Sequence, residues 1–95
     1  MFDRKKMSKE LVLKEIGLKI REMRNVKNFS LVEFSDKLDI EYNNLIRIEK
    51  GRTNLTIGTL LKICQALDVN LPTLVDVEAG HFAKGKKMGS STKNV

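Results

Sequence analysis

The chain contains no tryptophan, one cysteine, one proline and one histidine in 95 residues. A lone cysteine forbids an intramolecular disulfide, and one cysteine with one histidine leaves no structural zinc site. The four phenylalanines and one tyrosine do not cluster as a stacking platform for unpaired bases. No apolar run approaches the roughly 18 residues a membrane span needs. The opening Met1-Phe2-Asp3-Arg4-Lys5-Lys6 lacks the apolar stretch of a signal peptide, so a reducing, cytoplasmic setting is expected. There is no paired His and Cys nucleophile, no metal-ligand spacing and no Gly-rich phosphate loop. An enzyme is therefore not expected, and no cofactor is implied. Period-2 alternation is also missing, so no sheet is expected.

What is present fits one small helical domain with tails. Hydrophobic residues make up 41%, enough for a single core, and the net charge is +6. The charge is unevenly spread. Residues 16–28 carry +3, residues 68–79 carry −3, and residues 80–95 hold four lysines and no acid. Separated basic and acidic sectors can orient a domain on a polyanion.

Helical periods follow one another along the chain. Residues 1–8 are polar and expected to fray. From Lys9 to about Lys27, Val12, Ile16, Ile20, Met23 and Val26 recur at spacings of four or three. Gly17 marks a weak point in that helix, and Asn28 ends it. Ser30 and Glu33 have capping-box spacing, and Phe29 and Phe34 can form a hydrophobic staple around the cap. Leu31, Phe34 and Leu38 mark the apolar side. Asp39 falls where the turn needs a left-handed residue. A third helix spans about Glu41 to Lys50, with Leu45 and Ile48 inward and Gly51 as its stop. Thr56 caps a fourth helix with a stripe of Ile57, Leu60, Leu61, Cys64 and Leu67. Asn70 and Pro72 open a short fifth helix with Leu71, Leu74 and Val75 inward. Residues 79–95 are rich in Gly, Ser and Lys without periodicity and are expected to be a disordered basic tail. The domain is thus expected over 9–78.

Residues 30–51 are the most informative segment. They form two short helices joined by a tight turn. The second carries apolar residues on one side and Tyr42, Asn43, Asn44 and Arg47 on the others. Such a helix can rest on a core and present its polar face to a DNA major groove. Asn matches the N6 and N7 edge of adenine, and Arg47 can reach guanine or a phosphate. Tyr42 can stack on sugar or bond a phosphate, or it can pack against the second helix. Arg52 and Asn54, in the loop beyond, are placed for phosphate contact, although Arg52 can also cap the third helix. The backbone N–H groups after Ser30 offer a further phosphate site. Cys64 sits at core spacing and is expected to be inert, and His81 belongs to the tail.

The order of these pieces resembles the phage repressor and Cro type of helix-turn-helix domain, the XRE family, over about residues 16–76. The anchors are Ile16-Gly17, Ile20-Arg21-Glu22-Met23-Arg24, Ser30, Ile48-Glu49-Lys50-Gly51, Thr59-Leu60-Leu61-Lys62-Ile63 and Ala66-Leu67. The resemblance implies an all-α, five-helix repressor-like fold, with helices two and three as the turn motif. It also implies an Arg24–Glu49 bridge at a partly buried site and base contacts from Tyr42, Asn43, Asn44 and Arg47, while Ser30, Arg52 and Asn54 are expected to contact the DNA backbone. Three residues depart from the family pattern. Leu31 stands where Gln often lies, so that polar contact is absent or replaced by an apolar one, such as to a thymine methyl. Glu41 replaces a small polar cap and would repel phosphate unless it accepts from a cytosine amino group. Asp39 replaces a turn glycine.

The expected function is a transcriptional regulator that binds double-stranded DNA in a sequence-specific way. It is expected to act as a homodimer on a two-fold operator and to repress by occupancy. Two alternatives share the fold. One is an antitoxin, with residues 76–95 as a toxin-binding segment that folds on contact, or the related restriction-modification controller protein. The other is a protein-interaction adaptor without specific DNA readout, which Leu31 and Glu41 favour.

Overall fold

Five helices in sequence order make up the computed structural model, which describes residues 8–76. They are α1 (Lys9–Val26), α2 (Leu31–Leu38), α3 (Tyr42–Glu49), α4 (Ile57–Leu67) and α5 (Leu71–Val75). No strand occurs among the described residues. The leading segment before Ser8 and the tail 79–95 lie outside them, as does the proposed partner segment beyond Asp76. Ser8 itself caps α1, where its hydroxyl accepts from the Leu11 N–H at 3.2 Å.

The first four helices stop for one repeated reason. Asn28, Asp39, Gly51 and Asp68 all take left-handed backbone angles, with φ of 61°, 55°, 70° and 58°. After each, the next N–H reaches back to a carbonyl five residues earlier. Phe29 donates to Arg24, Ile40 to Ser35, Arg52 to Arg47 and Val69 to Cys64, at 2.9–3.1 Å. These are Schellman closures, which satisfy the last carbonyls of a helix and reverse the chain. Three of the four use Asn or Asp, the non-glycine residues that best tolerate this region.

The turns let α1 pack on α3, α4 and α5, while α2 packs on α3 and α4. Ile20, Phe34, Leu45, Ile63, Leu67 and Leu74 are fully buried where these elements meet. Four expected core positions lie at the surface instead. Val26 is 78% exposed, Ile57 63%, Leu61 46% and Val75 36%. Val26 falls in the last turn of α1, beyond the reach of its partners. On α4 the buried stripe is Leu60, Ile63, Cys64 and Leu67. Helix α4 is apolar around much of its circumference, so periodicity cannot choose between Leu61 and Ile63. The position of α1 and α2 makes that choice. Burial pushes the Cys64 thiol above its ordinary range, as desolvation disfavours the thiolate.

Gly17 does not weaken α1, which runs unbroken through it. A Cβ there would lie 2.5 Å from the Glu49 carbonyl oxygen and 2.6 Å from that of Ile48. Gly51, one turn beyond, is held just as closely against α1: a Cβ there would lie 2.5 Å from Lys14 Cα. Helix α1 therefore crosses the C-terminal end of α3 with backbone against backbone. In an exposed helix, Gly→Ala would stabilise by about 0.5–1 kcal/mol. Here the added methyl meets backbone, which yields only by separating two helices. Gly17→Ala is expected to destabilise the domain by roughly 1–3 kcal/mol in urea unfolding. An unchanged or raised midpoint would contradict this contact.

Candidate nucleic-acid interface

The turn motif is built from local interactions at α2. The Ser30 hydroxyl accepts from the Glu33 N–H at 3.0 Å, and the Ser30 N–H donates to Glu33 Oε1 at 2.9 Å. This capping box satisfies two N–H groups that a helix start would leave open. Phe29 and Phe34 stack across the cap with ring centroids 5.8 Å apart. Lys37 Nζ sits 5.0 Å from the Phe29 ring centroid, a cation–π contact on the outer face of the staple. At the other end, Asp39 turns the chain, and Glu41 enters α3 in an extended conformation without a side-chain cap.

One ion pair fixes α3 on this support. Arg24 Nε donates to Glu49 Oε2 at 2.7 Å, and Arg24 Nη2 donates to Glu49 Oε1 at 3.1 Å. The third guanidinium nitrogen, Nη1, donates to the Phe29 carbonyl at 2.8 Å. The two side chains are only 9% and 6% exposed. A single planar group thus ties the end of α1, the approach to α2 and the end of α3. Its fork geometry matches the carboxylate bidentately, a match lysine cannot make.

The opposite face of α3 is open. Asn43, Arg47 and Tyr42 are exposed, the last at 43%, and Asn44 is half-buried. Asn43 and Arg47 are four apart and share one face. Arg52 and Asn54 line one groove with Lys9, Glu10 and Leu13 of the first turns of α1. The Arg52 side chain is exposed, and its backbone N–H is committed to the Arg47 carbonyl. At Ser30, the capping box takes both the N–H and one acceptor site of the hydroxyl. The N–H groups of Leu31 and Val32 remain without an intrahelical acceptor, as at any helix start. An anion there would gain from the helix dipole and lose from the adjacent Glu33 carboxylate.

The sequence reading missed Arg21, Ile46 and Lys50. With Leu31 they line a groove beside the ion pair. Lys50 could have been found, since it lies seven residues after Asn43 and so returns to its face. Arg21 could not, because only the packing of α1 on α3 brings it there. Among the described residues no cluster of His, Cys, Asp and Glu could hold a metal ion. None of the helices described is long and apolar enough to cross a membrane.

Five helices, with α2 and α3 joined by a left-handed Asp and clamped by a buried Arg–Glu pair, define a helix-turn-helix domain. The family model described as helix-turn-helix, HTH_3, matches residues 20–74, and the chain belongs to this family. It is 37% identical over 62 residues to the HTH-type transcriptional regulator SinR of Bacillus subtilis. That match covers 64% of this chain and 56% of SinR, so the chain spans little more than half that regulator's length. A crystal structure of SinR, the master regulator for biofilm formation, in complex with DNA superposes with a TM-score of 0.61 at 37% identity. It covers 64% of this chain and 98% of that one. The restriction-modification controller protein C.AhdI of Aeromonas hydrophila superposes with a TM-score of 0.63 at 26% identity, covering 65% of this chain and 94% of that one.

Removing either member of the Arg24–Glu49 pair strands the other in a dry site. Arg24→Ala and Glu49→Ala are each expected to destabilise by roughly 3–5 kcal/mol, with the double variant milder than their sum. A double-mutant cycle by chemical denaturation measures this. Strict additivity would show that the pair does not act as a unit. Glu41→Ser gives α3 the side-chain cap it lacks and is expected to stabilise by about 1 kcal/mol in the same assay. A loss of stability would mean that Glu41 has a role the cap does not replace.

Proposed function

We propose that this protein is a sequence-specific, double-stranded-DNA-binding transcriptional regulator that uses α3 as its reading helix. The observation that carries this is the clamped helix with its open polar face. Arg24 and Glu49 hold its buried side, and Asn43 and Arg47 are exposed on the other. Tyr42, Asn43, Asn44 and Arg47 are assigned to base contact, and Ser30, Arg52 and Asn54 to the sugar-phosphate backbone. Backbone contacts fix the register, and base edges select the site. The likeness to a regulator whose structure holds DNA supports the same reading.

The active species on DNA is proposed to be a homodimer. A single module of this kind buries only about 600–1,000 Å² on DNA, which rarely gives tight specific binding. Two copies on a two-fold site, with half-sites about one helical turn or a multiple apart, double the contact. Repression then follows from occupancy. The likeness to C.AhdI along nearly its whole length favours a second reading, in which the regulated genes are those of a restriction-modification system. Both readings use the same interface.

Asn43 and Arg52 separate base readout from backbone binding. Loss of a bidentate Asn–base pair weakens binding by roughly 1–3 kcal/mol and relaxes preference at one base position. Loss of a phosphate contact weakens binding on all sequences and lowers the log–log salt slope by about one unit. Asn43→Ala is therefore expected to flatten one column of the site selected from a random duplex pool, at nearly constant salt slope. Arg52→Ala is expected to keep the site and lower the slope. Equal losses for both variants on selected and scrambled duplexes would favour the adaptor reading.

A further inference from the structure

Leu31 at the start of α2 and Ile46 in the middle of α3 line one groove of about 300 Å³. Both are half-buried, while the groove's Arg21 and Lys50 are exposed. Its remaining lining residues, Arg24 and Glu49, neutralise each other. Both Glu49 carboxylate oxygens are held by the guanidinium, so this wall offers no unpaired negative charge. Ile46 follows Asn43 by three residues and precedes Lys50 by four, so the three form one stripe along α3. An apolar spot therefore lies in line with an exposed amide and is flanked by two cations.

That pattern matches one feature of duplex DNA. Along the major groove, the base edges present donors, acceptors and a single apolar group, the C5-methyl of thymine. The flanking cations suit the phosphates on either side, and no exposed carboxylate lines the groove. We infer that Leu31 and Ile46 form a seat for a thymine methyl next to the base read by Asn43, which makes Leu31 a specificity-determining residue. This rests on the DNA-binding reading above. Leu31 thereby reads a base through an apolar contact, and a half-buried leucine at a helix start has a use beyond the core.

The test replaces thymine by uracil, one position at a time, in the duplex selected by the full chain. Uracil keeps every hydrogen-bonding group and removes only the methyl. One thymine in each half-site is expected to lose about fourfold in affinity on replacement, corresponding to the ~0.8 kcal/mol of one buried methyl group. In Leu31→Gln the same replacement is expected to leave affinity unchanged, with the thermal melt confirming a folded domain. Ile46→Gln, from the other wall, is expected to behave alike. Indifference of the wild-type protein to every thymine methyl overturns the seat, as does a dependence that survives in both variants. Selection of no duplex over random sequence would overturn the DNA-binding reading, and the seat with it.

Discussion

The structure depends on one ion pair made at a point where three segments converge. Arg24 comes from α1, Glu49 from α3, and the Phe29 carbonyl from the chain entering α2. None of these segments fixes the others through covalent geometry. A buried pair of this kind contributes little net stability compared with apolar packing, because both charges must leave water. What it imposes is position. Only one placement of α3 lets both carboxylate oxygens meet the guanidinium, and a shift of an ångström would strand two charges. Gly17 sharpens that constraint, because backbone contact between α1 and the end of α3 leaves no room for a different crossing.

Rigidity matters because a reading helix must place amide and guanidinium groups against base edges with bidentate geometry. Helix α3 has only eight residues and no side-chain cap, so it is not stable by itself. Its order is borrowed from the core through Leu45 and Ile48 and from the clamp through Glu49. The outward face is thereby free of the demands of the core. Stability lies on one side of the helix and the proposed recognition on the other, so exposed residues such as Asn43 and Arg47 can change without loss of the fold.

Features of the fold that act over a few residues were legible in the sequence. The Ser30–Glu33 box, the Phe29–Phe34 staple and the left-handed Asp39 each depend on residues no more than five apart. Five helices could be placed because each begins or ends on such a signal. Features that depend on packing were not legible in the same way. Gly17 looked like a flaw in α1, since its value appears only when α3 lies across it. On α4, Leu60, Cys64 and Leu67 were placed inward as found, but Leu61 was taken for the stripe in place of Ile63, because the two are equally apolar and only the neighbouring helices distinguish them. Arg24 and Glu49, 25 residues apart, were paired through family resemblance and not through spacing. The groove that joins Leu31 to Ile46 had no signal in the linear pattern, because its two apolar residues belong to different helices.

Native-state hydrogen exchange tests most directly whether the clamp holds the reading helix. In the wild-type protein, the protected amides of α3 should exchange only through global unfolding, with the same free energy as those at the centre of α1 and α4. In Glu49→Gln, which keeps shape and removes charge, α3 should open separately at a lower free energy while α1 and α4 stay protected relative to it. If α3 amides in the variant still exchange with the global unit, the ion pair does not hold the helix in place. If α3 opens separately already in the wild type, the helix is not held at all, and the account of a clamped reading surface is contradicted.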